Sequence, residues 1–183
     1  IYQIALSHFF LFQTAAGGGI PVSLSRTVSR LNAENQSRRA GGALLAALLL
    51  AGGISLPLIG IFLPLLDKIP LFAADAPVLK ILLSTLTATA VYMAIKGFFW
   101  GNKKFLAPAL FEIVEEISTV LLGVLLLTST QNLSPIDGAS LAAWAHSIAG
   151  ILVCIIACIT LLLNKIKWNA PTPFIQPLIK ASA

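Results

Sequence analysis

Long apolar runs alternate with short polar clusters along this chain. A helix needs about 20 mainly apolar residues to cross a bilayer, and five stretches meet that requirement. They lie at about residues 1–25, 41–66, 78–100, 105–129 and 139–163. The pattern therefore predicts an all-α fold, a polytopic membrane helix bundle with five transmembrane helices inside residues 1–168. A polar loop is predicted at Gln131–Gly138, before the fifth helix.

Glycine and proline interrupt the first predicted span. The residues concerned are Gly17, Gly18, Gly19 and Pro21. Such a run weakens a helix and frees backbone groups, which must then find partners on neighbouring helices or in cavity water. Two interpretations stay open: close packing through small residues, or a bend at the wall of a cavity. In the second span, Pro57 and Pro64 predict a kink or an end.

The fourth span carries three glutamates, Glu112, Glu115 and Glu116. A charged group at the centre of a membrane helix costs roughly 2.5–3.5 kcal/mol on insertion scales, so such residues face protein or water and are functional by default. In one interpretation, Glu112 forms a structural pair with Lys96, and Glu115 is hydrogen-bonded to a neighbouring helix. In the other, Glu112, Glu115 and Glu116 are ion or proton coupling sites for protons or sodium. Because Glu116 lies nearest the middle of the span, it is the better coupling candidate.

The third span predicts a polar stripe beside these glutamates. The stripe consists of Thr85, Thr89, Tyr92 and Lys96, which share one face of a continuous helix. A tight turn at Gly101–Lys104 would fold the fourth span back against the third. That register predicts Thr89 beside Glu116 and Lys96 within reach of Glu112.

Composition excludes a soluble catalytic module. Only 10% of the residues are charged, whereas soluble domains have about 25%. The sequence contains no Walker, H-E-x-x-H or G-x-S-x-G motif, so we expect no enzyme, no catalytic residue, no metal and no cofactor. Cys154 and Cys158 share one apolar run, and His8 and His146 lie in separate spans. We interpret all four as packing or helix-contact residues.

Basic residues alternate between the predicted loops. Ten of the twelve lie in the loop after span one, the turn after span three and the tail, whereas the other two loops hold only Lys68 and Lys80. Cytoplasmic loops carry the excess of lysine and arginine, so we predict a multi-pass protein with residue 1 outside and a cytoplasmic tail. The net charge of +5 then indicates contact with the lipid bilayer rather than with nucleic acid. Because the chain does not begin with Met, we expect it to be a piece of a longer one.

Two stretches carry a resemblance to a known family. Ile20–Asn35, IPVSLSRTVSRLNAEN, resembles the end of a helix that leads into a basic loop, and Gly97–Leu125 is similar to a G-x-F-x-G turn followed by a Glu-rich helix. Both are features of the stage V sporulation protein B-like transporters. These are polysaccharide-biosynthesis flippase-like members of the multidrug/oligosaccharidyl-lipid/polysaccharide (MATE-like) exporter superfamily.

The resemblance implies that the chain is an N-terminal lobe fragment, helices two to six of a MATE-like lobe, with residues 169–183 as a linker toward a second lobe of the full-length protein. It implies alternating access that flips a lipid-linked saccharide, or a peptidoglycan or polysaccharide precursor, across the bacterial cytoplasmic (plasma) membrane. Related flippases use cavity arginines for the substrate's pyrophosphate. Arg26 and Arg30 are therefore the candidate contacts for an anionic lipid-linked substrate, with Arg26 first because it follows the glycine–proline break.

Two other functions stay open. The glutamates also suit a cation-coupled multidrug antiporter of the same superfamily, which would exchange protons or sodium for a lipophilic cation. A non-transporting membrane scaffold in envelope or spore-coat assembly is the third hypothesis.

Overall fold

The computed structural model describes residues 1–72, 74–130 and 134–163, and in these residues the regular structure is entirely helical. The helices are α1 Tyr2–Gly17, α2 Ile20–Ala33, α3 Ser37–Leu65, α4 Ala76–Ser84, α5 Leu86–Gly101, α6 Leu106–Ser129 and α7 Pro135–Leu163, with one 3-10 turn at Leu66–Lys68. They pack into one bundle, which confirms the predicted all-α membrane helix bundle. The predicted linker 169–183 and the tail from residue 164 lie outside the described residues.

Two helices of the described chain are long and apolar enough to cross a membrane, Arg38–Lys68 and Pro135–Leu163, and α4 with α5 makes a third if the bent pair is one span. The first predicted span is divided between α1 and α2, each shorter than the roughly 20 residues that a crossing needs. In α6, the three glutamates interrupt the apolar run. The number of spans, five, therefore stays a prediction.

The first predicted span is interrupted at its glycines. Helix α1 ends at Gly17 and α2 begins at Ile20, so that Gly18 and Gly19 lie between them. Pro21 falls in the first turn of α2, where a proline removes no intrahelical hydrogen bond. The second span behaves differently, because α3 continues through Pro57 and Pro64.

The third predicted span is not the continuous helix that the polar stripe required. It is divided at Thr85 into α4 and α5, whose axes are bent by 45°. Thr85 donates from both its backbone N–H and its hydroxyl to the Leu82 carbonyl, at 3.1 and 2.7 Å. These bonds close a tight i to i−3 turn instead of continuing the helix. The break therefore separates Thr85 from the stripe residues in α5.

The predicted loop Gln131–Gly138 is wrong over its second half, because α7 begins at Pro135. The Ser134 hydroxyl donates to the Asp137 carboxylate at 2.6 Å and accepts the Asp137 backbone N–H at 3.2 Å. This reciprocal pattern is a helix-capping arrangement of the S-x-x-D type. Pro135 at the start of the helix fits the same motif.

Helices α2 and α5 pack backbone to backbone. A Cβ atom on Gly97 would lie 2.7 Å from Pro21 Cα, and one on Gly101 would lie 2.6 Å from Val28 Cβ. Small residues at a spacing of four allow such an approach between membrane helices. The contact fixes α2, and with it the two arginines, against α5. On the other side of the bundle, α6 packs chiefly against α7.

Candidate functional site

The three glutamates of α6 lie in three different surroundings. Glu112 is exposed, and its carboxylate contacts Lys96 Nζ of α5. Lys96 Nζ also lies 4.8 Å from the centre of the Trp100 ring, within the range of a cation–π interaction. The structure thus brings Lys96 and Glu112 together; that the pair is purely structural stays a prediction.

Glu115 is half-buried and lies at the junction of α5, α6 and α7. A Cβ atom built on Gly150 of α7 would lie 3.8 Å from Glu115 Oε1 and 3.9 Å from Thr89 Cγ2 of α5. Both are ordinary contact distances, so the Glu115 carboxylate and the Thr89 side chain both adjoin α7 at Gly150. The sequence predicted Glu116 as the neighbour of Thr89. In the structure, Glu115 is the glutamate that adjoins Gly150 together with Thr89.

Tyr92 adds a polar group at this junction. Tyr92 is only 9% exposed, and its ring packs against that of Phe111, with 6.4 Å between the ring centroids. The Tyr92 hydroxyl is buried and makes no hydrogen bond within the described part of the chain. It lies within electrostatic range of Glu112 and Glu115. The Thr119 hydroxyl, one turn beyond Glu115 on α6, is likewise buried and unpaired among these residues.

Unpaired buried hydroxyls are rare in native structures and are commonly explained by a bound water or ion. The junction therefore combines a partly enclosed carboxylate with hydroxyl oxygens that have spare bonding capacity. Glu116 is different, because it is exposed and lies within electrostatic range of Tyr2 and His146. We define the "glutamate junction" as Glu115, Tyr92, Thr89 and Gly150.

A separate cavity lies at the interruption between α1 and α2. It has a volume of about 140 Å³, and its wall is formed by Gly17–Gly19, Ile20 and Ser23 together with residues of α3. The interruption is thus both packed and cavity-forming: Gly17 packs against Ala90 of α5, and all three glycines line the cavity. Backbone groups in this wall are paired locally: the Gly18 N–H donates to the Thr14 carbonyl, and the Gly19 carbonyl accepts from Ser23.

Arg26 and Arg30 lie on α2 beyond this cavity and do not line it. Both are exposed. Arg26 and Arg30 follow Ser23, which lines the cavity, by three and seven positions. At this spacing the three residues lie on nearly the same side of α2. Arg30 Nε lies 4.0 Å from Glu34 Oε1; within the described residues, no ion pair holds Arg26.

A contact between a histidine and a buried aspartate was not predicted from the sequence. His8 Nδ1 of α1 lies 3.0 Å from Asp75 Oδ2 at the start of α4, 67 positions away. Asp75 is the one buried acidic residue in the described ranges, which include all seven of the chain. The Asp75-Ala76-Pro77 sequence marks a helix start, but nothing in it indicates the distant histidine. Within the same ranges, no three His, Cys, Asp or Glu side chains are grouped to hold a metal ion.

Comparison of the sequence with known proteins gives two matches. The chain matches the family model described as polysaccharide biosynthesis protein over residues 1–180. It is 26% identical over 167 residues to stage V sporulation protein B of Bacillus subtilis (strain 168), and the alignment covers 85% of this chain and 31% of that protein. The chain thus spans less than a third of the curated relative that it matches.

No solved structure matches the chain. The two sequence matches confirm the resemblance that was drawn from Ile20–Asn35 and Gly97–Leu125. The family match includes the α1–α2 interruption, the Arg26 region and the whole of the glutamate helix α6. On this evidence the chain belongs to the polysaccharide biosynthesis protein family.

Proposed function

We propose that this chain is the N-terminal lobe of a bacterial membrane transporter that flips a lipid-linked saccharide, or a peptidoglycan or polysaccharide precursor, by alternating access. The observation that carries the proposal is the family match over residues 1–180, together with the helical membrane bundle that the described residues form. A second lobe, contributed by the remainder of the full-length protein, completes the transport path. The protein acts by transport rather than by catalysis.

Arg26 is the proposed contact for the anionic head group of the substrate. It is exposed, has no ion-pair partner in the described chain, and extends the cavity side of α2 toward the predicted cytoplasmic surface. Guanidinium groups bind phosphate through two parallel hydrogen bonds. Arg30, one turn further on the same side, is the second contact, and its pair with Glu34 is exposed and hence weak.

The glutamate junction is the proposed coupling site. A carboxylate between three membrane helices favours occupation by a proton or a sodium ion, because neutralisation removes the cost of the charge. The buried Tyr92 hydroxyl supports this assignment, since it has no other partner in the described residues. Glu112, held by Lys96, and the exposed Glu116 are the secondary candidates.

The test is Arg26→Ala in the full-length protein, reconstituted in liposomes with a fluorescent lipid-linked saccharide. Hydrogen bonds to charged groups are worth about 1.5–3 kcal/mol, so we expect flipping to slow by about tenfold or more. Arg26→Lys retains the charge without the bidentate geometry and should lose less activity. Arg38→Ala is the matched control, because Arg38 is also exposed but lies beyond the α2–α3 turn.

Unchanged flipping in Arg26→Ala would overturn the arginine assignment. Normal export of lipophilic cations without any flipping of lipid-linked saccharide would favour the multidrug antiporter instead. Absence of both activities in a correctly folded full-length protein would favour the membrane scaffold.

A further inference from the structure

We propose that His8 and Asp75 form a proton-binding latch that joins α1 to α4 and so controls one layer of the bundle. The latch is separate from the glutamate junction and from the arginines of α2. It goes beyond the proposed transport function, because it assigns a conformational role to two residues that contact neither cargo nor coupling ion in that proposal.

The contact is short and enclosed. The two side chains lie 3.0 Å apart, with 20% of the His8 and 4% of the Asp75 side chain exposed. Burying a carboxylate is costly unless a partner compensates it. His8 is that partner, and its ring packs edge-on against Phe72 at 4.9 Å between centroids.

Asp75 gives up a favourable local interaction to make this contact. It is the N-cap residue of α4, yet its side chain makes no hydrogen bond to the helix that it precedes. Aspartate at this position normally accepts a backbone N–H of the first turn, which stabilises a helix by about 1 kcal/mol. The carboxylate instead faces His8 on another helix, so the sequence of α4 alone does not determine its orientation.

Other charged groups near this layer have their own partners. On α4, Lys80 pairs with Asp67 at 2.6 Å. On α7, His146 packs against Phe9 of α1 at 6.3 Å between ring centroids, and Glu116 of α6 lies within electrostatic range of His146. Within the described residues, the protonation of His8 therefore acts first on Asp75.

The two helices that the latch joins are both halves of interrupted spans. Helix α1 is separated from α2 by Gly18–Gly19, and α4 from α5 by the bend at Thr85. The α2–α5 layer is held by direct backbone contact at Gly97 and Gly101. The α1–α4 layer is held at His8 by a contact that one proton can change.

Histidine is the side chain whose charge ordinarily changes between pH 5 and 8. Protonated His8 and the Asp75 carboxylate form an ion pair, in which the imidazolium compensates the buried charge. After proton loss, the neutral imidazole can donate at most one hydrogen bond to the carboxylate and carries no opposite charge. Proton binding to the imidazole therefore fastens α1 to α4, and proton loss loosens them. Glycines at one break and a turn at the other allow that layer to move while α2 and α5 stay together.

The test is hydrogen–deuterium exchange of the full-length protein in nanodiscs between pH 5.5 and 8, after correction for the intrinsic pH dependence of exchange. We expect protection in α1 and α4 to fall about tenfold as the pH rises, while protection in α2 and α5 changes little. His8→Gln and Asp75→Asn should each abolish the difference between the layers. His146→Gln is the matched control and should preserve it.

Equal pH responses of the two layers in the wild type would overturn the latch without the need for any variant. A wild-type response that survives His8→Gln would also overturn it. Because exchange reports helix opening rather than transport, loss of this response leaves the flipping assay of Arg26→Ala unaffected, so the two proposals fail independently.

Discussion

At the scale of the residue, the separation of the three glutamates follows from helix geometry. Each residue turns the helix by about 100°, so Glu115 and Glu116 point in different directions, whereas Glu112 and Glu116, four positions apart, lie on nearly the same side of α6 at depths that differ by one turn. Lys96 is close enough to contact Glu112, and Glu115 adjoins α7 at Gly150. Carboxylates that are neighbours in sequence therefore differ in how readily water reaches them.

Glu115→Gln in the full-length protein is expected to remove the dependence of flipping on the proton or sodium gradient. The amide keeps the size of the side chain but cannot bind a proton or a cation in the same way. Flipping should be measured in liposomes with an imposed pH gradient and, separately, an imposed sodium gradient. The gradient that loses its effect identifies the coupling ion.

Glu116→Gln is the comparison variant on the same helix. Because Glu116 is exposed, we expect its loss to leave the gradient dependence within about twofold of the wild type, which is within the range of minor surface effects. In the reverse outcome, coupling is lost in Glu116→Gln and retained in Glu115→Gln. That result would support Glu116, which the sequence favours because it lies nearest the middle of the span, and would reject the glutamate junction as the coupling site.

At the scale of the element, α2 and α5 pack with their backbones in close contact. Pro21 and Val28 of α2 meet Gly97 and Gly101 of α5 at distances that leave no room for a side chain. Helix association in lipid relies on such close packing, since lipid tails are as apolar as the side chains they replace. The G-x-F-x-G feature of the family resemblance thus has a physical role in this chain.

Gly97→Ala and Gly101→Ala are expected to destabilise the bundle by roughly 1–3 kcal/mol each, the usual cost of overpacking. The added methyl groups would lie 2.7 Å from the Pro21 backbone and 2.6 Å from Val28, so α2 would have to move. Thermal unfolding of the full-length protein in detergent, followed by circular dichroism, measures the change.

The control for these variants is a glycine in open surroundings. Gly53→Ala and Gly60→Ala in α3 would place a Cβ atom with nothing within 4 Å, and alanine favours a helix by up to about 1 kcal/mol over glycine. Their unfolding temperature should stay the same or rise. If all four variants behave alike, the close contact between α2 and α5 does not determine stability.

The positions of the helices could be predicted closely from the apolar runs, because a helix that is buried in lipid or protein needs a long apolar segment. Their interruptions follow less well. The glycines at residues 17–19 were recognisable, but Thr85 breaks a span through a hydroxyl bond to Leu82 that threonine makes in some helices and not in others. The early start of α7 was present in the sequence as Ser134-Pro135-Ile136-Asp137, a capping pattern that the polar composition concealed.

The candidate site was predictable only in part, for a similar reason. The stripe and the turn indicated that Lys96 would come near α6, since sequence-adjacent helices are joined by a short connection. The packing of α6 on α7 decides which carboxylate is enclosed, and helix rotation of that kind is not encoded in the spacing of α6 alone. The His8–Asp75 contact joins helices far apart in sequence, and only the tertiary fold reveals it.

At the scale of the whole molecule, two pairs of helices, each made of halves of interrupted spans, differ in how they are joined. Helices α2 and α5 are joined through glycine, and α1 and α4 are joined at His8 and Asp75. A bundle with one closely packed layer and one titratable layer has a physical basis for two conformations, since the layers respond differently to the same change in pH. The side of the membrane that the α1–α4 layer faces then determines from which side a proton reaches His8.

Charge in the loops predicts that orientation, with the α2–α3 turn inside and the α3–α4 connection outside. We expect Leu71→Cys, in a residue that is 67% exposed, to react with a membrane-impermeant maleimide added to intact cells. Ala33→Cys, which is also exposed, should react only after the membrane is permeabilised. Both variants require a cysteine-free background that includes Cys154→Ala and Cys158→Ala, and neither alters a charge that sets topology. Labelling of Ala33→Cys in intact cells, with Leu71→Cys protected, would reverse the orientation and assign the His8–Asp75 latch to the cytoplasmic side.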